Sequence, residues 1–60
     1  MKKYIVHQTV TAETFDTICH RYAICGWKEI DVIGTLNHPQ EIVFEWIGDG
    51  LPEYPNLSHL

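Results

Sequence analysis

The 60-residue sequence predicts an α+β domain of order β-α-β-β, with one helix packed on a three-stranded, antiparallel sheet. Three observations predict it. A β-prone segment is followed by an apolar stripe at helical spacing. A lone glycine, Gly26, ends that stripe. Two alternating segments then follow, separated by residues that favour a turn.

The first strand is read in KYIVHQ, residues 3–8, which is rich in β-prone residues and free of Gly and Pro. Its phase is ambiguous: either Ile5 or the pair Tyr4 and Val6 enters the core. Thr11 is placed to cap a helix beginning at Ala12. Phe15, Ile18, Cys19, Tyr22 and Ala23 then recur at i, i+3, i+4, i+7 and i+8, one face of an α-helix. Glu13 near the start and Arg21 near the end suit the helix dipole. Gly26 takes the position after the helix, where a left-handed backbone is cheap for glycine alone.

WKEIDVIG, residues 27–34, alternates. Strict alternation sets Lys28, Ile30 and Val32 on one face and Trp27, Glu29, Asp31 and Ile33 on the other. Asn37 and Pro39 mark a turn, and Pro39 is not expected inside a central strand. EIVFEW, residues 41–46, alternates again, with Ile42, Phe44 and Trp46 apolar and Glu41, Val43 and Glu45 opposite. The expected core is the helix face with Ile30, Val32, Ile42, Phe44 and Trp46. The last two strands form a hairpin. Strand order 1-3-2, fully antiparallel, is preferred, with a parallel 1-2-3 arrangement as the alternative.

Residues 1–47 form the domain, and Gly48-Asp49-Gly50 opens a tail, 48–60. In LPEYPNLSHL, Leu51, Tyr54, Leu57 and Leu60 recur every third residue and Pro52 and Pro55 follow the first two. That rhythm suits an extended polyproline II segment with one apolar edge, which either frays or docks.

Charge is unevenly placed. Net charge is −4, but Lys2, Lys3, Arg21 and Lys28 all precede Glu29, and residues 29–60 hold six acids without a Lys or Arg. That half cannot supply the basic patch a nucleic-acid backbone requires. Apolar residues are 45% of the chain, enough for a folded core. The N-terminus MKKYIVHQ lacks an apolar run of signal-peptide length, and nothing reaches membrane-spanning length. A soluble, cytoplasmic protein is expected.

Cys19 and Cys25 on one helix would lie about 9 Å apart along its axis and point about 120° apart. A disulfide between them is therefore not expected. His7, His20, His38 and His59 show no metal-ligand spacing: there is no CxxC, HxxxH or HExxH. GDG opens no helix and so cradles no phosphate. The sole serine, Ser58, lies in the tail, and Cys25 at a helix C-terminus is a poor nucleophile. No catalytic residue, metal or cofactor is assigned.

What remains is the sheet face away from the helix. Strict alternation gathers Trp27, Glu29, Asp31, Ile33, Glu41, Val43 and Glu45 there, an apolar strip rimmed by acids. Tyr54 in the tail joins them as a candidate partner contact. The exit from the helix leaves open whether Trp27 turns inward to cap the core instead.

The combination of Lys3, Tyr4 and Val6, then Gly26, Trp27 and Ile30, then Ile42, Val43 and Phe44 resembles a family of small bacterial and phage-related domains of unknown function. The resemblance covers roughly residues 3–46, and the chain departs from it at Lys28 and in its tail. It implies the β-α-β-β arrangement and no catalytic residues. It also makes a phage or prophage origin, and binding to a host protein, an expectation. Three functions are thus weighed: a protein-interaction module for a partner with a basic surface, a domain that dimerises through its sheet, and a metal or small-ligand binder.

Overall fold

The computed structural model describes residues 3–58. Lys2, His59 and the expected apolar contact Leu60 lie outside them. The element order is β1 (Ile5–Thr9), α1 (Phe15–Cys25), β2 (Trp27–Gly34) and β3 (Pro39–Trp46). The sheet is antiparallel throughout in the order β1-β3-β2, with the helix packed on one face.

The register settles the phase of β1. Val6 lies opposite Phe44 and Gln8 opposite Ile42, while the Tyr4 carbonyl accepts the Trp46 amide. Tyr4, Val6 and Gln8 therefore face the helix. Val10 extends the same alternation beyond the strand, its amide bonded to the Gln40 carbonyl, and is buried in the core.

α1 begins one turn later than the sequence pattern predicts. Residues 11–14 form a lead-in turn in which the Thr11 amide donates to Thr14 Oγ1 (2.9 Å) and the Thr14 amide to Thr11 Oγ1 (3.3 Å). Regular helix follows, with Thr14 as its N-cap. Ile18 and Tyr22 are its buried residues, and Ala23 is exposed. The buried stripe continues instead through Cys25, which packs against the core.

Gly26 ends the helix with φ 115°, its amide shared between the Tyr22 and Ala23 carbonyls. A Cβ there would come within 3.0 Å of the Trp46 ring, so conformation and space both require glycine. Gly48 approaches the same ring, where a Cβ would lie 2.6 Å from it.

Strict alternation fails in β2. Glu29 lies opposite Phe44 and Asp31 opposite Val43, so Ile30 is an extra residue, a β-bulge. The bulge flips the parity of everything before it. Trp27 and Glu29 join Val32 on the helix face, while Lys28, Asp31 and Ile33 face away. Asp31 Oδ1 accepts the Val32 amide (2.8 Å) beside the bulge. Ile30, expected in the core, is 47% exposed. Val32 does face the helix side but lies at an open cleft and is only partly covered.

Pro39 also departs from expectation, for it opens the central strand. This is tolerated because it is the first residue of β3, and β1 pairs only from Glu41 onward.

The core is Val10, Ile18, Tyr22, Trp27, Ile42 and Phe44. The Tyr22 and Phe44 rings stack at 4.2 Å, and the Tyr22 hydroxyl donates to Gln8 Oε1 at 2.7 Å. This buried hydroxyl is thus satisfied.

Candidate functional site

The face away from the helix has a simple composition. β1 contributes Ile5, His7 and Thr9; β3 contributes Glu41, Val43 and Glu45; β2 contributes Lys28, Asp31 and Ile33. In the register, Val43 lies between His7 and Asp31, Glu45 between Ile5 and Lys28, and Glu41 between Thr9 and Ile33. Ile5, Val43 and Ile33 therefore run diagonally across the sheet. Val43 is 7% exposed, whereas Ile5 and Ile33 stay open to solvent. Three carboxylates, Asp31, Glu41 and Glu45, flank the diagonal against the single positive Lys28. Glu41 Oε1 lies 3.3 Å from His7 Nδ1, a surface contact.

Five of the expected partner residues meet on this face: Asp31, Ile33, Glu41, Val43 and Glu45. Three do not. Glu29 is displaced to the helix side by the bulge, where its Oε1 accepts the Cys19 thiol at 3.2 Å. Trp27 is 3% exposed and belongs to the core. Tyr54 is exposed but lies beside Trp27, with ring centroids 5.4 Å apart, on the opposite side of the sheet from the acids.

The thiol near Glu29 bears on reactivity. Burial, the hydrogen bond to Glu29, and the charges of Glu29 and Asp16 push the Cys19 pKa up to about 12. It is held as a thiol that donates a proton in a hydrogen bond, the opposite of an activated nucleophile. Burial likewise raises the Tyr22 phenol. Both cysteines are free. Among the described residues, no group of three or more His, Cys, Asp or Glu is placed to hold a metal ion.

A cleft of about 420 Å³ opens between the start of α1 and the β2–β3 turn, lined by Ala12, Phe15, Val32 and Pro39 among others. It is mainly apolar and holds the Asp16 carboxylate at its edge.

The tail does dock, and the edge the triplet rhythm predicts is only part of what it buries: Leu57 of that edge packs inward, joined by Pro52 and Pro55. Pro52, Pro55 and Leu57 are half-buried, while Leu51 and Tyr54 are exposed, Tyr54 at 61%. Trp46 Nε1 donates to the Gly50 carbonyl (3.2 Å), Trp27 Nε1 to the Glu53 carbonyl (2.7 Å) and Arg21 Nη1 to the Asn56 carbonyl (3.0 Å). Leu57 packs against the core cluster. An indole N–H needs a partner when buried, and for Trp27 the tail supplies it.

No family model, curated protein or solved structure gives a significant match to this chain. No helix among the described residues is long and apolar enough to cross a membrane.

Proposed function

We propose that this chain is a small, non-enzymatic protein-interaction module that presents its uncovered sheet face to a partner with a basic surface. The observation that carries this reading is the asymmetry of the sheet. Helix and tail both pack on one face, and the other keeps an apolar diagonal flanked by Asp31, Glu41 and Glu45. Apolar anchors within a charged rim are the usual anatomy of a protein interface. The rim carboxylates would steer a basic partner and fix its register more than they would add affinity.

A protonated, hydrogen-bonded Cys19 speaks against thiol chemistry, and the acidic second half of the chain against nucleic acid. Two free thiols agree with a cytoplasmic setting. The resemblance to small phage-related domains supports a host protein as the partner.

A photo-crosslinking residue in place of Ile33, in cells of the natural source, tests the reading. One discrete partner is expected from position 33 and none from the exposed helix position Thr17. The product should vanish when Asp31, Glu41 and Glu45 are changed to Lys. Identical products from both positions, or a product indifferent to the charge reversal, would refute it. A crosslinked homodimer would assign the face to a second copy instead.

A further inference from the structure

The contacts that hold the tail have a feature that plain tail packing does not need. All three hydrogen bonds run from side chains of the domain to backbone carbonyls, and those carbonyls belong to Gly50, Glu53 and Asn56, every third residue. Polyproline II repeats every three residues, about 9 Å, makes no internal hydrogen bonds and leaves its carbonyls free. The donors come from three elements: Trp46 on β3, Trp27 on β2 and Arg21 on α1. Between the bonded carbonyls sit Pro52 and Pro55, a P-x-x-P pair, both half-buried, with Leu57 beyond them on the core.

We infer that the groove formed by Trp27, Trp46 and Arg21 is a binding site for extended P-x-x-P-x-Φ peptides, where Φ is a large apolar residue, and that residues 50–57 are its built-in occupant. None of the three groove donors bonds to a side chain of the tail. Recognition therefore rests on carbonyl spacing, the two half-buried prolines, the Tyr54 ring beside Trp27 and the apolar Leu57 side chain, which a peptide of the tail's own pattern supplies. Aromatic-lined grooves are the general solution for binding such segments, because proline leaves little conformational freedom to lose. Glycines at 48 and 50 flank the point where the tail leaves β3, and a short tether gives the tail an effective concentration in the millimolar range. A peptide supplied in trans thus competes with the tail, and weakening the tail opens the site.

The test uses the full chain and a labelled peptide of residues 50–58, GLPEYPNLS. In the variant Pro52→Gly/Pro55→Gly the tail loses its rings and its stiffness, while every sheet and helix residue is unchanged. The indole N–H signals of Trp27 and Trp46 should move toward those of a free indole, and the peptide should return them. Fluorescence anisotropy should place the peptide midpoint at least tenfold lower for this variant than for the wild-type chain. A further Arg21→Ala change should raise that midpoint again. Tyr54→Gly/Leu57→Gly provides a second way of loosening the tail.

Equal midpoints for variant and wild type would overturn the inference, as would equal binding of a peptide with both prolines replaced by glycine. Indole signals unmoved in both loosened variants would overturn it too. Wild-type dimers that the peptide fails to dissociate would assign the groove to the tail of a second copy.

Discussion

Deleting Ile30 should leave this fold standing, although it removes a large apolar residue from the middle of a strand. With the bulge in place, Trp27, Glu29 and Val32 face the helix and Lys28, Asp31 and Ile33 face away. Without residue 30 the same side chains keep the same faces in a ladder that is continuous from Trp27 to Ile33. Two contributions oppose each other. Full burial of an isoleucine side chain is worth about 1.5–3 kcal/mol, and Ile30 is 47% exposed, so its loss costs about 1 kcal/mol. Against this, the shorter chain has one residue fewer to order, roughly 1–2 kcal/mol of backbone entropy. The net change should fall within about 1 kcal/mol. Urea unfolding followed by tryptophan fluorescence measures it, with Val43 deletion as the control. That control shifts either Ile42 or Phe44 out of the core and should cost roughly 3–5 kcal/mol. This is much of the stability of a domain this size, about 3–9 kcal/mol. A loss above about 3 kcal/mol on deleting Ile30, or a chain that no longer folds, would refute the bulge and with it the placement of Trp27.

Two further outcomes follow from the packing. Gly26→Ala should destabilise by about 1–2 kcal/mol, since it adds a left-handed strain to a contact with Trp46 that has no slack; thermal unfolding reads this, and an unchanged midpoint would contradict the cap. Cys19 has a folded pKa near 12, above its unfolded value near 9, so the folded chain binds the extra proton between them. Its contribution is complete below pH 9 and is lost as pH rises toward 12, with a slope of up to about 1.4 kcal/mol per pH unit. Cys19→Ala should flatten stability between pH 9 and 10, before Tyr22 begins to add its own loss. Equal slopes in both chains would count against the thiol's hydrogen bond to Glu29.

Topology was readable from the sequence because each element carries its own period. The helix stripe, the Gly26 stop and the hairpin alternation are local signals, and the structure places them in the preferred order. The facing of β2 was not readable, because a bulge is one residue long and leaves no trace in an alternating pattern; it follows from pairing with β3. That single residue accounts for the misplacement of Trp27, Glu29 and Ile30. Val10, by contrast, had a signal, since Tyr4, Val6, Gln8 and Val10 alternate on one face. In the tail, the period of three was legible and its phase only in part. Of the leucines and tyrosine that look like the docking edge, Leu57 packs on the core and Tyr54 sets its ring against Trp27, while Leu51 stays exposed and Pro52 and Pro55 are half-buried. The acidic face is readable for Asp31, Glu41 and Glu45, which lie beyond the bulge or on the regular strand.

The order β1-β3-β2 also has a kinetic side. β2 and β3 are joined by a short turn, and a hairpin of this kind closes in microseconds. β1 must return across the whole helix and hairpin to reach the far edge of β3, a longer loop closure that contact-order arguments place later. Until it arrives, the backbone groups of β3 from Glu41 to Glu45 that β1 will satisfy stand unpaired beside the most apolar stretch of the chain. The vacancy is a template for any passing strand, including β1 of another molecule. At high concentration during refolding, strand exchange at this edge competes with self-completion, and dilution favours the monomer.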